Sequence, residues 1–278
     1  MFKVLVDSCG ELTKELDGDS RFVNVPLTLE VDGYRIIDDE TFDQADFLRR
    51  VRESESGPKS SCPSPEAYLK LFEGEAEHIY GITLSAVLSG SYNSAMVAKQ
   101  MYEEKHDDKK IHIFNSKSAS IGETLIALKI KECEESGMSF EEVIKNVDEY
   151  IATQHTFFVL ETLETLRKNG RLSHLKAFVA GALNIKPVMG STDEGNIQQL
   201  AKTRGMTKGL KKMAEEAIRV TPDPENRILA ISHCNAPEKA ELVKNEMLKY
   251  SNYKEIIVLD TNGVSSMYAS DGGVIMVL

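Results

Sequence analysis

Three times in the first half of the chain, a short apolar run ends in a serine-bearing loop that opens into a helix. Phe2 to Asp7 precedes Ser8, Ile79 to Leu84 precedes Ser85 and Ser89, and Ile111 to Phe114 precedes Asn115 and Ser116. The helix after the second run carries Ala95, Ala98 and Met101 on one face, and the helix after the third carries Ile121, Leu125 and Leu128 on one stripe. Strands separated by helix-length segments cannot close as hairpins and cross over to lie parallel. In a parallel α/β sheet the loops at the carboxyl ends of the strands share one edge. Ser8, Ser85, Ser89 and Ser116 are therefore expected to converge there, where such sheets bind ligands.

Other segments interrupt this alternation. Phe22 to Val31 and Tyr34 to Asp38 read as two extended runs joined by Asp32-Gly33, a tight-hairpin signal. A polar linker from Glu53 to Lys59 then leads into Ser60-Ser61-Cys62-Pro63-Ser64-Pro65. Ser64 suits a helix cap and Pro65 a first helical position, with the helix running on through Ala67, Leu69 and Leu71. Ser60 and Ser61 stand just ahead of that helix start, among unpaired N–H groups that favour an anion.

After a helix from Phe140 to Ile151 the order of elements changes. Phe157 to Leu160 reads as a strand, Leu163 to Arg167 as a helical turn and Leu175 to Leu183 as a small-residue helix. Ile185 to Ser191 and Ile197 to Thr203 form a hairpin around Asp193-Glu194-Gly195. Helices at Lys208 to Val220 and Pro237 to Tyr250 alternate with strands at Ile228 to Ser232, Ile256 to Leu259 and Val274 to Leu278. The expected fold class is α/β with two domains. The two are expected to meet near residue 153, where the order of elements changes.

A net charge of −11 argues against nucleic acid and anionic membrane surfaces as partners, which require a basic face. No apolar run approaches the length of a bilayer span, and no stable membrane insertion is expected. Cys9, Cys62, Cys133 and Cys234 lie far apart with no CxxC pair, which suggests neither a disulfide framework nor a zinc site and fits a reducing cytoplasm. Phosphate-loop, dinucleotide, zinc-protease and nucleophile-elbow signatures are all missing. No metal or cofactor is called for.

Two cations and one imidazole stand out. Gly170 permits a tight turn that projects Arg171, a side chain able to pair bidentately with a carboxylate or phosphate, and Arg204 in Lys202-Thr203-Arg204-Gly205 offers a second. His233 sits where a strand ends and a helix begins, and is equally readable as a ligand-orienting base or a structural histidine. One functional reading combines Ser89, His233 and Arg171 in a stand-alone small-molecule phosphotransferase or hydrolase. Another is a structural protein with a solid core and no ligand.

A third reading comes from a resemblance. Val6-Asp7-Ser8 with Leu12, Val25-Pro26-Leu27 ahead of Asp32-Gly33, and Ser60 to Pro65 are similar to the opening of the DegV family. So are Leu88-Ser89-Gly90-Ser91-Tyr92-Asn93-Ser94-Ala95, Glu161-Thr162-Leu163 through Gly170-Arg171-Leu172-Ser173, and Asn184-Ile185-Lys186-Pro187. The resemblance is collinear over essentially the whole chain. It implies a parallel-sheet α/β domain over residues 1–152 with carboxylate-binding loops, an α+β domain over residues 153–278 with a mixed or antiparallel sheet and helices, and a lipid-binding subunit without catalytic residues of its own. Such a subunit holds a long-chain fatty acid and presents the carboxylate to a separate ATP-binding fatty acid kinase subunit that makes the acyl phosphate.

Carried over by motif, Ser60 or Ser61 and Ser89-Gly90-Ser91 hold the carboxylate. Arg171 serves the partner's reaction or docking, with Arg204 and His233 grouped alongside it. Ser60, Cys62 and Ser91 replace the family's threonine, glutamine and threonine, and Asn115 stands where an acid is common. Tyr268-Ala269-Ser270-Asp271-Gly272-Gly273 takes the place of a His-Thr-Gly-Pro-Gly stretch, with Tyr268 as the replacement hydroxyl. Burying an alkyl chain at roughly 0.8 kcal/mol per methylene requires an apolar tunnel. Its expected walls are Ile121, Phe157, Phe158, Phe178 and Met267.

Overall fold

The structure, a computed structural model, describes residues 1–173 and 184–278. Its elements in chain order are β1 (Phe2–Asp7), α1 (Lys14–Asp17), β2 (Phe22–Val25), β3 (Thr28–Val31), β4 (Tyr34–Ile37), α2 (Gln44–Glu53), β5 (Lys59–Ser61) and α3 (Pro65–Leu71). Then come β6 (His78–Thr83), α4 (Ser91–Glu103), β7 (Lys110–Asn115), α5 (Ile121–Glu135), α6 (Phe140–Thr153), β8 (Thr156–Val159) and α7 (Glu164–Lys168). The chain closes with β9 (Ile185–Ser191), β10 (Ile197–Arg204), α8 (Met206–Val220), β11 (Ile228–His233), α9 (Pro237–Leu248), β12 (Glu255–Asp260), α10 (Gly263–Ala269) and β13 (Val274–Val277).

The alternation in the first half gives a parallel sheet ordered β2-β1-β6-β7. The second sheet is mixed, ordered β10-β9-β8-β13-β11-β12, and only its β11–β12 pair is parallel. The run from Phe22 to Val31 is not one strand. It breaks at Pro26, so that β2 joins the parallel sheet while β3 turns away to pair with β4 and β5 in a three-stranded antiparallel arm. A proline lacks the N–H that a continuous ladder would need there. Asp32 and Gly33 both take positive φ, at 48° and 82°, as a tight primed hairpin turn requires.

Helix α5 explains how the two sheets share a core. Ile126, Ala127, Ile130 and Cys133 pack with Val4, Val6 and Ile82 of the parallel sheet. Ile121 and Leu125, on another face, pack with Ala230, Ile257 and Val277 of the mixed sheet. A helix buried on two sides must be apolar around most of its girth. On the far side of the mixed sheet, α8 and α9 cover a core of Phe157, Val159, Met213, Val243 and Met276.

Two helices escape a sequence reading. Asp43 caps α2 by accepting from the Asp46 N–H at 3.0 Å. The residues of α10, Gly-Val-Ser-Ser-Met-Tyr-Ala, are indifferent helix formers, and that helix is held from outside. Asp38 accepts from the N–H groups of Gly263 at 2.7 Å and Val264 at 2.8 Å, and Gln44 Nε2 donates to Ser266 Oγ at 3.0 Å. A Cβ on Gly263 would stand 2.5 Å from an Asp38 oxygen, so only glycine admits this cap. The helix expected at Leu175 to Leu183 lies outside the described residues.

Candidate functional site

A narrow space runs between the carboxyl edge of the parallel sheet and the inner face of the mixed sheet. It holds about 840 Å³ between atoms, mouth included, of which the centre of a water molecule can occupy only about 100 Å³. Its wall is almost wholly apolar. Leu84 and Leu88 come from the parallel-sheet loops, Leu27 from the arm, Phe158 and Ile275 from the mixed sheet, Ile197 from the hairpin, and Val264 and Ala269 from α10.

One end is polar with donors to spare. Ser60 stands opposite the buried Leu29 in the arm ladder and so faces inward, while its neighbours Lys59 and Ser61 face solvent. Ser60 Oγ lies 3.2 Å from the Tyr268 hydroxyl. The Arg171 guanidinium carbon sits 5.8 Å from the centre of the Tyr268 ring, a distance suited to cation–π attraction. Arg171 donates through Nε to Leu88 O at 3.1 Å and through Nη1 to Asn169 O at 2.5 Å, which seats it beside Ser89. No carboxylate among the described residues pairs with this guanidinium. Ser89 Oγ accepts from the Ser91 N–H at 3.2 Å and also lies 3.2 Å from Ser91 Oγ, where either hydroxyl can donate.

The opposite end is self-satisfied. Ser118 Oγ and Thr156 Oγ1 bond each other at 2.6 Å, and the hairpin tip is sealed by Ser85 Oγ donating to Gly195 O at 2.9 Å. Gly195 takes φ of 84°, and a Cβ there would stand 2.4 Å from Ser85 Oγ and 2.8 Å from Lys117 Cα.

Beneath the cavity lies a layer of buried carboxyls that ties α10 to the first half of the chain. Ser8 Oγ donates to Asp38 at 2.8 Å and accepts from the Leu27 N–H at 2.9 Å. Ser120 Oγ donates to Glu11 at 2.8 Å, and the Asn262 N–H approaches Glu11 at 3.4 Å. Burial raises Asp38 to about 6 and Glu11 to about 7, with hydrogen bonds to the ionised forms opposing the shift.

Of the residues singled out from sequence, Ser60, Ser89, Arg171, Tyr268 and Phe158 border the cavity together. The others do not. Ser61 points outward from its strand, Gly90 packs its backbone against Cys62, and Ser91 is buried behind Ser89. Arg204 is exposed at the end of the hairpin away from Ile197, which borders the cavity. His233 is buried with Nδ1 accepting from the Ala236 N–H at 3.3 Å, and burial lowers its pKa, so it does not meet Ser89 and Arg171 as the enzyme reading needs.

Ile121 and Phe157 belong to other cores, the latter because strand alternation turns Thr156 and Phe158 inward and Phe157 outward. Met267 packs in the core cluster that also holds Val264 and Ala269 without bordering the cavity itself. Phe178 lies outside the described residues. Ser8, Ser85 and Ser116 do gather at the sheet edge, yet each is spent on internal hydrogen bonds. Sequence reasoning missed the wall residues Leu27, Leu84, Leu160, Leu166 and Ile275. Only the alternation around Phe158 carried a readable sign of any of them.

An α/β chain with a slender apolar cavity, closed at one end by hydroxyls and a guanidinium that meets no carboxylate among the described residues, has the build of a binding protein for a narrow amphiphile. The chain belongs to the DegV family, whose model, described as "Uncharacterised protein, DegV family", matches residues 1–277. A DegV domain-containing protein of Streptococcus pneumoniae R6 is 34% identical over 258 residues, covering 93% of this chain and 91% of its own. A DegV family protein from Ruminococcus gnavus, solved with vaccenic acid, is 50% identical with a TM-score of 0.97, covering 100% of this chain and 99% of its own. The Streptococcus pneumoniae fatty acid kinase (Fak) B3 protein, loaded with linoleic acid, is 32% identical with a TM-score of 0.90, covering 100% of this chain and 98% of its own. No helix among the described residues is long and apolar enough to cross a membrane.

Proposed function

We propose that this chain binds one long-chain fatty acid with its alkyl chain along the apolar cavity and its carboxylate between Ser60, Ser89, Tyr268 and Arg171. The carrying observation is the asymmetry of the cavity. Hydroxyls, and a guanidinium that keeps N–H groups without an acceptor among the described residues, gather at one end of a wall whose exposed surface is otherwise almost all hydrocarbon. Hydroxyl donors hold a carboxylate while leaving lone pairs on it for chemistry, and Arg171, already committed to two backbone carbonyls, adds charge without a full bidentate grip. The relatives solved with vaccenic and linoleic acids support this ligand class.

The likeness to the fatty acid kinase B3 protein supports a further role, presenting the bound carboxylate to a separate ATP-binding kinase. In that reaction a carboxylate oxygen forms the bond to the γ-phosphorus of ATP, the acyl phosphate results and ADP leaves. Residues 1–152 supply the head-group serines, and residues 153–278 supply Arg171, Tyr268 and most of the far wall. The cytoplasm is the compartment this reading requires, in keeping with four unpaired cysteines.

The test is calorimetric titration of lipid-free protein with an eighteen-carbon acid and the alcohol of equal length. The acid should bind one to one and at least about tenfold more tightly than the alcohol. Equal affinities would remove the carboxylate cradle. Acyl phosphate should form only when an ATP-binding kinase subunit is added, and turnover of ATP by this chain alone would contradict the division of labour.

A further inference from the structure

Behind the head-group serines lies a pair of carboxyls that nothing so far has used. Asp7, at the end of β1, and Glu123, in the first turn of α5, are both fully buried and bring oxygens within 4.8 Å of each other and of the Cys9 thiol. Gly10 makes the approach possible, since a Cβ there would stand 2.8 Å from Glu123 Cβ and 2.7 Å from a Val6 methyl. The ionisable groups that face the pair are Cys9 and Glu11 from the loop after β1 and Tyr68 from α3, and none of them is basic. Two carboxylates so placed cannot both ionise.

The hydrogen bonds decide which one keeps the charge. Asp7 accepts from the Cys9 N–H at 3.1 Å and from the Leu84 N–H at 3.0 Å, and the Ser91 hydroxyl faces it. Neither Glu123 oxygen receives any donor. A carboxyl with two N–H donors is stable as the anion, and one with none is stable as the acid whose proton bonds its neighbour. We infer that Asp7 and Glu123 hold a single proton between them, carried on Glu123. We further infer that this acid pair positions the head-group turn by fixing Ser91 as a donor to Asp7.

The second part rests on the fatty acid reading. With its hydroxyl turned to Asp7, Ser91 can meet Ser89 Oγ, 3.2 Å from its own Oγ, only as an acceptor, so the proton of that pair stays on Ser89 and can swing from Ser91 to the ligand carboxylate. Asp7 and Glu123 act through Ser91 and touch no ligand, so they are positioning residues.

Infrared spectroscopy tests the first part without any ligand. At about pH 9, above the ranges to which burial raises Asp7, Asp38 and Glu11, a protonated carboxyl band should persist and vanish in Glu123→Gln. Carboxyl-labelled glutamate in the unaltered chain should shift the same band, which covers the case of a variant that does not fold. Absence of the band, or a metal ion bound in place of the proton by elemental analysis of the purified protein, overturns the pair. For the second part, Asp7→Asn and Ser91→Ala should each weaken binding of the acid about tenfold while sparing the matching alcohol. Equal loss for acid and alcohol overturns the positioning role. Absence of any fatty acid binding would instead sink the function proposed above and leave the infrared result standing.

Discussion

The two ends of the cavity are built from the same residue types and behave as opposites. At the far end Ser118 and Thr156 consume each other's hydrogen bonds, and the hairpin tip is closed over them by Ser85. At the near end Ser60 and Tyr268 share one hydrogen bond between two hydroxyls, Ser89 pairs with Ser91, and Arg171 meets only backbone carbonyls, so donors are left over among the described residues. A hydroxyl therefore marks a ligand site only when its partners are accounted for. The difference also fixes the direction in which an amphiphile would lie.

The comparison is broken most strongly by changing the ligand's hydrocarbon part. At roughly 0.8 kcal/mol per buried methylene, a saturated acid six carbons shorter should bind about 5 kcal/mol more weakly. A flat dependence of affinity on length, measured by calorimetry, would mean that the chain does not lie along the apolar wall.

Next in size is removal of the near-end hydroxyls. The combined change Ser60→Ala, Ser89→Ala and Tyr268→Phe should weaken acid binding by about 3 kcal/mol and alcohol binding by less than about 1 kcal/mol. Competitive displacement of a fluorescent fatty acid would read both losses, and a reversed order would put the carboxylate elsewhere.

A smaller effect comes from the carboxyls beneath α10, the helix that carries Tyr268. Glu11 is raised from 4.5 to about 7 by burial, and a group whose folded value is raised contributes stability at low pH that is lost as pH climbs through that folded value. Burial holds His112, His155 and His233 below the usual 6.5, which acts in the opposite sense but only below that pH. Between about pH 6.5 and 8, stability to urea should therefore fall, Glu11 contributing about 1 kcal/mol and a Glu123 that keeps its proton adding to the fall, and Glu11→Gln should remove the Glu11 share. A rise across that window would mean that Glu11 is not a buried acid.

The smallest effect sharpens the direction of the ligand. Lys117 borders the far end, and Lys117→Ala should change acid affinity by less than about 0.5 kcal/mol. A loss rivalling that of the hydroxyl variant would turn the ligand around.

Much of the scaffold was legible because it rests on local rules. Apolar runs and the stripe on α5 announced the parallel sheet and its crossovers, Asp32-Gly33 announced the hairpin, and Ser64 with Pro65 announced α3. Ser64 does accept from the Ala67 N–H, at 3.4 Å. What stayed hidden depends on partners distant in the chain. Helix α10 exists through Asp38, more than two hundred residues away, and residues with poor helix propensity give no sign of it. The same holds for the site. Motif likeness picked out Ser60, Ser89, Tyr268 and Arg171, yet it also gathered Ser61, Gly90 and Ser91, because neighbours in a motif do not share a face of a strand or turn. The stripe Ile121, Leu125 and Leu128 was read correctly as apolar, and its direction toward the mixed sheet was set only by the second half of the chain.

Native mass spectrometry of the protein as purified from a bacterial host, followed by organic extraction, tests the central claim most directly. The account predicts one fatty acid bound per chain, its carboxyl unesterified and its length matched to the cavity. A bare chain that also fails to take up added fatty acid would contradict it, and so would an extract containing only neutral lipid.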